Sequence, residues 1–172
     1  MRKRELTLDE EVVSYHFKYN IPEEEIRKAR EDFRSGDVDK ACLLAVLSGK
    51  KLSDILEMRK EMPWGLIQKE LGLTGDNYDE KYYHHRANRL HRFYGIDEER
   101  AYALLSAGYP NHWIRLAWLL EIHGHGKVED ILKEKKKSER WKPLAERMFH
   151  VKPEDFTLWI GETRNPSLPP KK

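Results

Sequence analysis

The stretch DVDKACLLAVLSGKKLSDILEMRKEMPWGLIQKELGL, Asp37 to Leu73, decides how the chain is read. Asp37 has the short acceptor side chain suited to a helix N-cap. Cys42, Leu43, Leu44, Ala45, Val46 and Leu47 follow with no polar face, which predicts a central helix covered on most sides. Gly49 is the natural left-handed stop. Leu52, Ile55, Leu56 and Arg59 then predict a shorter amphipathic helix, which Pro63 breaks. Trp64, Ile67 and Leu71 fall on one face of a further helix that ends at Gly72.

A degenerate version of this unit returns as NHWIRLAWLLEIHGHGKVEDILKEKKKSERWKPLAERMFHV, Asn111 to Val151. The register is consistent along the chain. Tyr19-Asn20-Ile21 matches Tyr94-Gly95-Ile96, Leu47-Ser48-Gly49 matches Ile122-His123-Gly124, Asp54-Ile55-Leu56 matches Asp130-Ile131-Leu132, and Trp64 matches Trp141. The offset drifts from 75 to 77, as one-residue loop insertions produce. So long a period predicts a small helical subdomain per copy rather than one rung of a solenoid. The expected division is a first repeat over 1–76, a second over 77–160, and a disordered Pro-rich tail over 161–172.

The flanking segments add helices. Thr7 and Glu10 form a capping box for a helix running to about Tyr19. Pro22 suits a first helical position, with Ile26, Ala29, Arg30 and Phe33 as the stripe behind it and Ser35-Gly36 as the end. Gly75-Asp76-Asn77 reads as a turn, after which a helix begins at Tyr78 or Asp79 and closes at Gly95. Asp97 caps the next helix, Pro110-Asn111 opens the second central one, and Lys133 to Lys137 read as a solvated face. No sustained two-residue alternation bounded by hairpin turns appears. The class is all-α, a tandem duplication of a small multi-helix unit with roughly ten short helices.

The chain has 172 residues, 36% of them charged, and a net charge of only +2. Binding nucleic acid through the overall field would call for a more basic protein. The single cysteine, Cys42, lies in an apolar helical run, which excludes an intrachain disulfide and a Cys-based zinc site. MRKRELTLDEE lacks the apolar stretch of a signal peptide, and the apolar run Ile114 to Ile122 is short for a bilayer span and contains Arg115 and Glu121. A soluble cytoplasmic protein is the expectation, with no membrane partner.

The candidate chemistry lies between Pro63 and Phe93. Trp64, Ile67, Leu71, Gly72 and Leu73 resemble the first helix and turn of a helix-turn-helix. Gly72 permits the left-handed turn and Leu73 plugs the corner. The helix that follows is basic, so Lys69, Lys81, His85, Arg86, Arg89 and Arg92 are the candidate nucleic-acid contacts. Asp76, Asp79 and Glu80 place negative charge at the start of that helix, and Gln68 stands where such motifs carry a small residue. The eight histidines show no zinc spacing. Ser48-Gly49-Lys50 lacks the earlier glycine of a phosphate loop, and no nucleophile–base set can be named. No catalytic, metal or cofactor residue is therefore assigned, and the expectation is a protein that is not an enzyme. The tryptophans Trp64 and Trp141 are expected to fill the core. Pro166 and Pro169 have the spacing of a polyproline ligand, with a loose tail as the plainer reading.

Ser48, Gly49, Lys50, Leu52, Asp54, Ile55, Leu56, Trp64, Gly65, Ile67, Leu71, Gly72 and Leu73 match a pattern of Ser-Gly-Lys, Asp-Ile-Leu and Trp-Gly-x-Ile-x-x-x-Leu-Gly-Leu. In this the chain resembles helical-repeat proteins of bacteria. The second copy keeps Lys127, Val128, Asp130, Ile131, Leu132 and Trp141 but has Lys142 and Phe149 where the glycines would be. The resemblance implies a helical repeat and a bacterial source, and it implies no activity. The expected function is a non-enzymatic interaction module acting on protein partners or on itself. The alternative is a DNA- or RNA-binding regulator using residues 63–93.

Overall fold

Local capping chemistry sets the first helix, α1 (Leu8–Tyr19), in the computed structural model, which describes residues 4–163 and 165. Glu10 N–H donates to the Thr7 hydroxyl at 3.2 Å and Thr7 N–H donates to the Glu10 carboxylate at 3.2 Å. This reciprocal pair satisfies two of the open amides of a helix start. Ten more helices follow: α2 (Glu23–Asp32), α3 (Ser35–Ser48), α4 (Leu52–Glu61), α5 (Trp64–Glu70), α6 (Gly75–Tyr94), α7 (Glu98–Ser106), α8 (Asn111–Ile122), α9 (Val128–Glu134), α10 (Trp141–Phe149) and α11 (Pro153–Glu162). The described residues contain no strand, and the protein is all-α. None of the described helices is long and apolar enough to cross a membrane.

The chain divides into two compact units, residues 4–85 and 86–165, with the boundary inside α6. The repeat boundary read from the sequence lies earlier, at 76/77. The physical reason for the later division is that the start of α6 belongs to the first core. Tyr78 packs against that core, and the His85 ring stacks on Tyr19 with centroids 5.7 Å apart.

In the first unit α1 packs on α2 and α3, and α4 packs on α2, α3 and α5. Val12, Ile26, Val38, Ala41, Cys42, Ile55 and Ile67 are fully buried. Burial drives this arrangement, since each such aliphatic side chain contributes about 1.5–3 kcal/mol when removed from water. Burial also pushes the Cys42 thiol up to about 12, with Asp39 and Glu25 adding to the effect.

In the second unit α8 packs on α7, α9 and α11, and α10 packs on α11. Ile114, Ala117, Leu120, Ile131, Leu144, Ala145 and Phe156 form its fully buried centre. Arg100 of α7 ties the surface of this unit together. Its guanidinium donates to Glu129 at 2.8 Å from Nε and to Glu121 at 2.6 Å from Nη2. The paired Arg100 holds the Glu129 carboxyl below the usual carboxylate range.

Four local expectations are corrected. Asp37 is not the cap of α3, which starts at Ser35 with Arg34 at the cap position. The Asp37 carboxylate is instead drawn away, accepting from Trp64 Nε1 at 3.2 Å and lying 3.6 Å from Arg59. The turn expected at Gly75 to Asn77 is already the first turn of α6, anchored by the Asn77 amide donating to the Gly72 carbonyl. Lys135 does not join a solvated face. Its ammonium turns inward to 4.2 Å from the Trp113 ring centre and 5.5 Å from that of Trp141, and donates to the carbonyls of Lys136 and Glu139. The tryptophans Trp64 and Trp141 are half-buried rather than enclosed: Trp64 packs against the core from its margin, and each ring forms one wall of a cation–aromatic contact. Of the proposed tail over 161–172, residues 164 and 166–172 lie outside the described residues, and α11 reaches Glu162.

Candidate functional site

The helix-turn-helix reading requires two helices joined at a tight corner, and α5 and α6 supply them. Ile67 and Leu73 are buried at the corner, and Gly72 takes the left-handed conformation with φ 70°. The six candidate contacts then part company. Lys69, Lys81 and His85 belong to the first unit, whereas Arg86, Arg89 and Arg92 belong to the second. Lys69 and Lys81 are exposed. His85 is only 6% exposed and stacks on Tyr19, so its ring is spent on packing. Arg86 donates twice to the Asn111 side-chain oxygen, at 3.1 and 2.8 Å. Arg92 donates to Asn88 at 2.9 Å and lies over the Phe93 ring, and burial followed by the nearby charge of Arg89 lowers its pKa. Asp76, Asp79 and Glu80 stand exposed on the first turns of α6. That end of the helix meets solvent with the wrong sign for phosphate.

The histidines serve the backbone and the aromatic packing. His16 Nδ1 donates to the Ile21 carbonyl at 2.7 Å, and His91 Nδ1 donates to the Ile96 carbonyl at 2.9 Å. Each ring thereby pins the chain just after a helix has ended in a left-handed residue, Asn20 or Gly95. His123 stacks on Trp159 with ring centres 3.8 Å apart. No group of three or more His, Cys, Asp or Glu side chains placed to hold a metal ion occurs among the described residues.

Sequence reasoning missed a groove of about 430 Å3 in the first unit, between α2 and α4. Its floor is Ala29, Phe33, Leu52 and Leu56. The groove exists because both helices are amphipathic with narrow stripes. Ile26 and Ile55 fill the core, Ala29, Leu52 and Leu56 are buried beside them, and Phe33 at the end of α2 is half-buried. The rim is charged with both signs: Glu25, Asp32 and Glu57 against Lys28, Lys51 and Lys60. Lys60 donates to Glu57 at 2.8 Å, and that bond raises the lysine pKa. The apolar residues were legible as helix stripes. Nothing in their order showed that two stripes leave an open seam.

By sequence, residues 1–85 carry 15 basic and 18 acidic side chains, and residues 86–165 carry 15 and 12. The near-neutral chain is thus an acidic half followed by a basic one. No family model, curated protein or solved structure matches the chain.

Proposed function

We propose that the chain is a non-enzymatic helical interaction module that seats a segment of a protein partner in the groove between α2 and α4. The observation that carries this reading is the groove itself, an apolar floor inside a rim of three carboxylates and three ammonium groups. Such a seam suits an amphipathic helix with one apolar ridge flanked by side chains of both signs. Charged rims of this kind set orientation and partner choice more than affinity.

We further propose that the module arose by duplication, with α1 to α5 recurring in order as α6 to α10. The paired histidine-to-carbonyl bonds support this, because His16 and His91 are 75 residues apart and so are Ile21 and Ile96. The starts of α3 and α8 and of α4 and α9 are both 76 apart, at Ser35 and Asn111 and at Leu52 and Val128.

The test is site-specific photocrosslinking in the source cells. A photoreactive side chain at Ser53, which is exposed and lines the groove, is expected to give a discrete protein adduct. Reversing the rim with Lys28→Glu and Lys60→Glu is expected to reduce that adduct at least tenfold while lowering the melting temperature only slightly, since both residues are exposed and the lost Lys60–Glu57 pair is a surface one. An adduct with a second copy of the chain would move the reading to self-association. The same adducts from a probe at Glu70, or none at Ser53, would remove the groove from consideration.

A nucleic-acid-binding regulator is the second reading. The clustering of Arg86, Arg89 and Arg92 along one stretch of α6 favours it, and the exposed acids at the start of that helix weigh against it.

A further inference from the structure

An arginine side chain has five N–H donors and cannot shed its charge, so a guanidinium packed away from carboxylates is costly unless something accepts from it. Arg115 of α8 is in that position. Its Nε is buried without a hydrogen-bond partner. Its Nη1 reaches the Tyr94 hydroxyl only at 3.4 Å, at the long end for a hydrogen bond. The rest of its contact with Tyr94 is with the ring face, 5.6 Å from guanidinium carbon to centroid.

Arg115 lines a cleft of about 180 Å3 in the second unit together with Arg89, Asn111 and His112. Leu90 and Phe93 supply its apolar wall. Among the described residues no carboxylate lines it. Asn111 has its side-chain oxygen engaged by Arg86, which leaves its amide group as a donor. Partial loss of hydration, then the charges of Arg115 and Lys135, hold the His112 imidazole below its usual pKa although the residue as a whole is exposed. The start of α8 adds to the same field. Pro110 occupies its cap position without any side-chain cap, and the amides of Trp113 and Ile114 are the first to turn back, to the Pro110 carbonyl. Asn165 and Tyr94 also line the cleft and bring an amide and a hydroxyl that can accept as well as donate; the charged groups are all cations, and a wall of apolar carbon lowers the local dielectric.

We propose that this cleft is an anion site that takes one phosphoryl group, with Arg115 and Arg89 as its charged donors and Asn111 and His112 at its mouth. Tetrahedral oxyanions match this donor set, because a guanidinium presents a planar fork to two oxygens at once. The site is independent of the groove on the first unit. The phosphoryl group could be free phosphate or the end of a nucleic-acid strand, and the two sources share the same contacts.

The test uses the full chain. Inorganic phosphate is titrated while the ring resonances of His112 are followed by NMR. Phosphate is expected to shift them and to raise the His112 pKa, because a bound anion favours the imidazolium. Arg115→Gln and Arg89→Gln are each expected to weaken phosphate at least tenfold. His112→Glu is expected to abolish binding while leaving the fold intact, since position 112 is exposed and an acid suits the first turn of a helix. A strand of oligothymidine with a 5′-phosphate, compared with the same strand without it, then separates the sources. Binding more than tenfold tighter than free phosphate, and dependent on the 5′-phosphate, identifies a strand end. Equal binding identifies phosphate or a small ester. No shift at His112, or phosphate affinity unchanged in both folded arginine variants and in His112→Glu, overturns the proposal.

Discussion

Replacing Phe156 with alanine is expected to destabilise the second unit by about 3–5 kcal/mol, the range for truncating a fully buried aromatic ring. Phe156 is 0% exposed and is the largest of the fully buried side chains. It is the anchor through which α11 packs on α8 and α10. Its ring meets Trp159 edge to face at 6.3 Å, and Trp159 in turn stacks on His123. Loss of the ring leaves a cavity and loosens that stack, so tryptophan emission should report the change directly. Urea denaturation followed by that emission checks the figure. A shift below about 1 kcal/mol would mean that α11 is an appendage and not part of the core.

Arg30→Ala is expected to cost the first unit a similar amount, about 3–5 kcal/mol, for an electrostatic reason. Glu11 is only 6% exposed, and its carboxylate accepts from Arg30 Nε at 2.8 Å. Arg30 also donates from Nη1 to the Phe33 carbonyl at 2.8 Å, closing the end of α2. Removing the arginine leaves a buried charge without compensation, which costs far more than the pair contributes. The pair replaced whole, as Glu11→Leu with Arg30→Met, should fall within about 1–2 kcal/mol of the parent, because no charge is stranded. A double variant as unstable as Arg30→Ala alone would show that the loss comes from packing and not from the orphaned carboxylate.

How far these features could be read from the sequence depends on whether their causes are local. The capping box at Thr7 and Glu10, the Asp97 cap, which accepts from Arg100 N–H at 2.9 Å, and the left-handed stop at Gly49 all depend on residues within one turn, and all were legible. Asp37 had the same local qualification as a cap. It was misread because Trp64 and Arg59, 27 and 22 residues away, claim its carboxylate. The apolar spacing of Phe156 and Ile160 was present, with Pro153 at a first helical position and Glu154 and Asp155 behind it, yet α11 lay past Val151, where the recurring stretch ends, and was passed over. Lys135 sat inside a run of lysines, and only the tertiary placement of Trp113 and Trp141 turned it inward. Both candidate sites escaped for the same cause. The groove joins stripes of two helices, and Arg115 stood out in the sequence only as a charge interrupting an apolar run. That it meets Arg89 across a cleft is a product of packing.

The burial of Cys42 gives the protein an internal clock. A thiol held near 12 instead of 9 carries about a thousandfold less thiolate at any neutral or mildly alkaline pH, and the reagent cannot reach it while the first unit is closed. Alkylation therefore waits on the opening of the helices around α3, and its rate at high reagent concentration equals the opening rate. With a single cysteine in the chain, the adduct mass counts openings of this one unit and is blind to those of the other. Comparing that rate with the loss of tryptophan emission, four of whose five sources lie beyond residue 85, tells whether the acidic half and the basic half let go together or in turn.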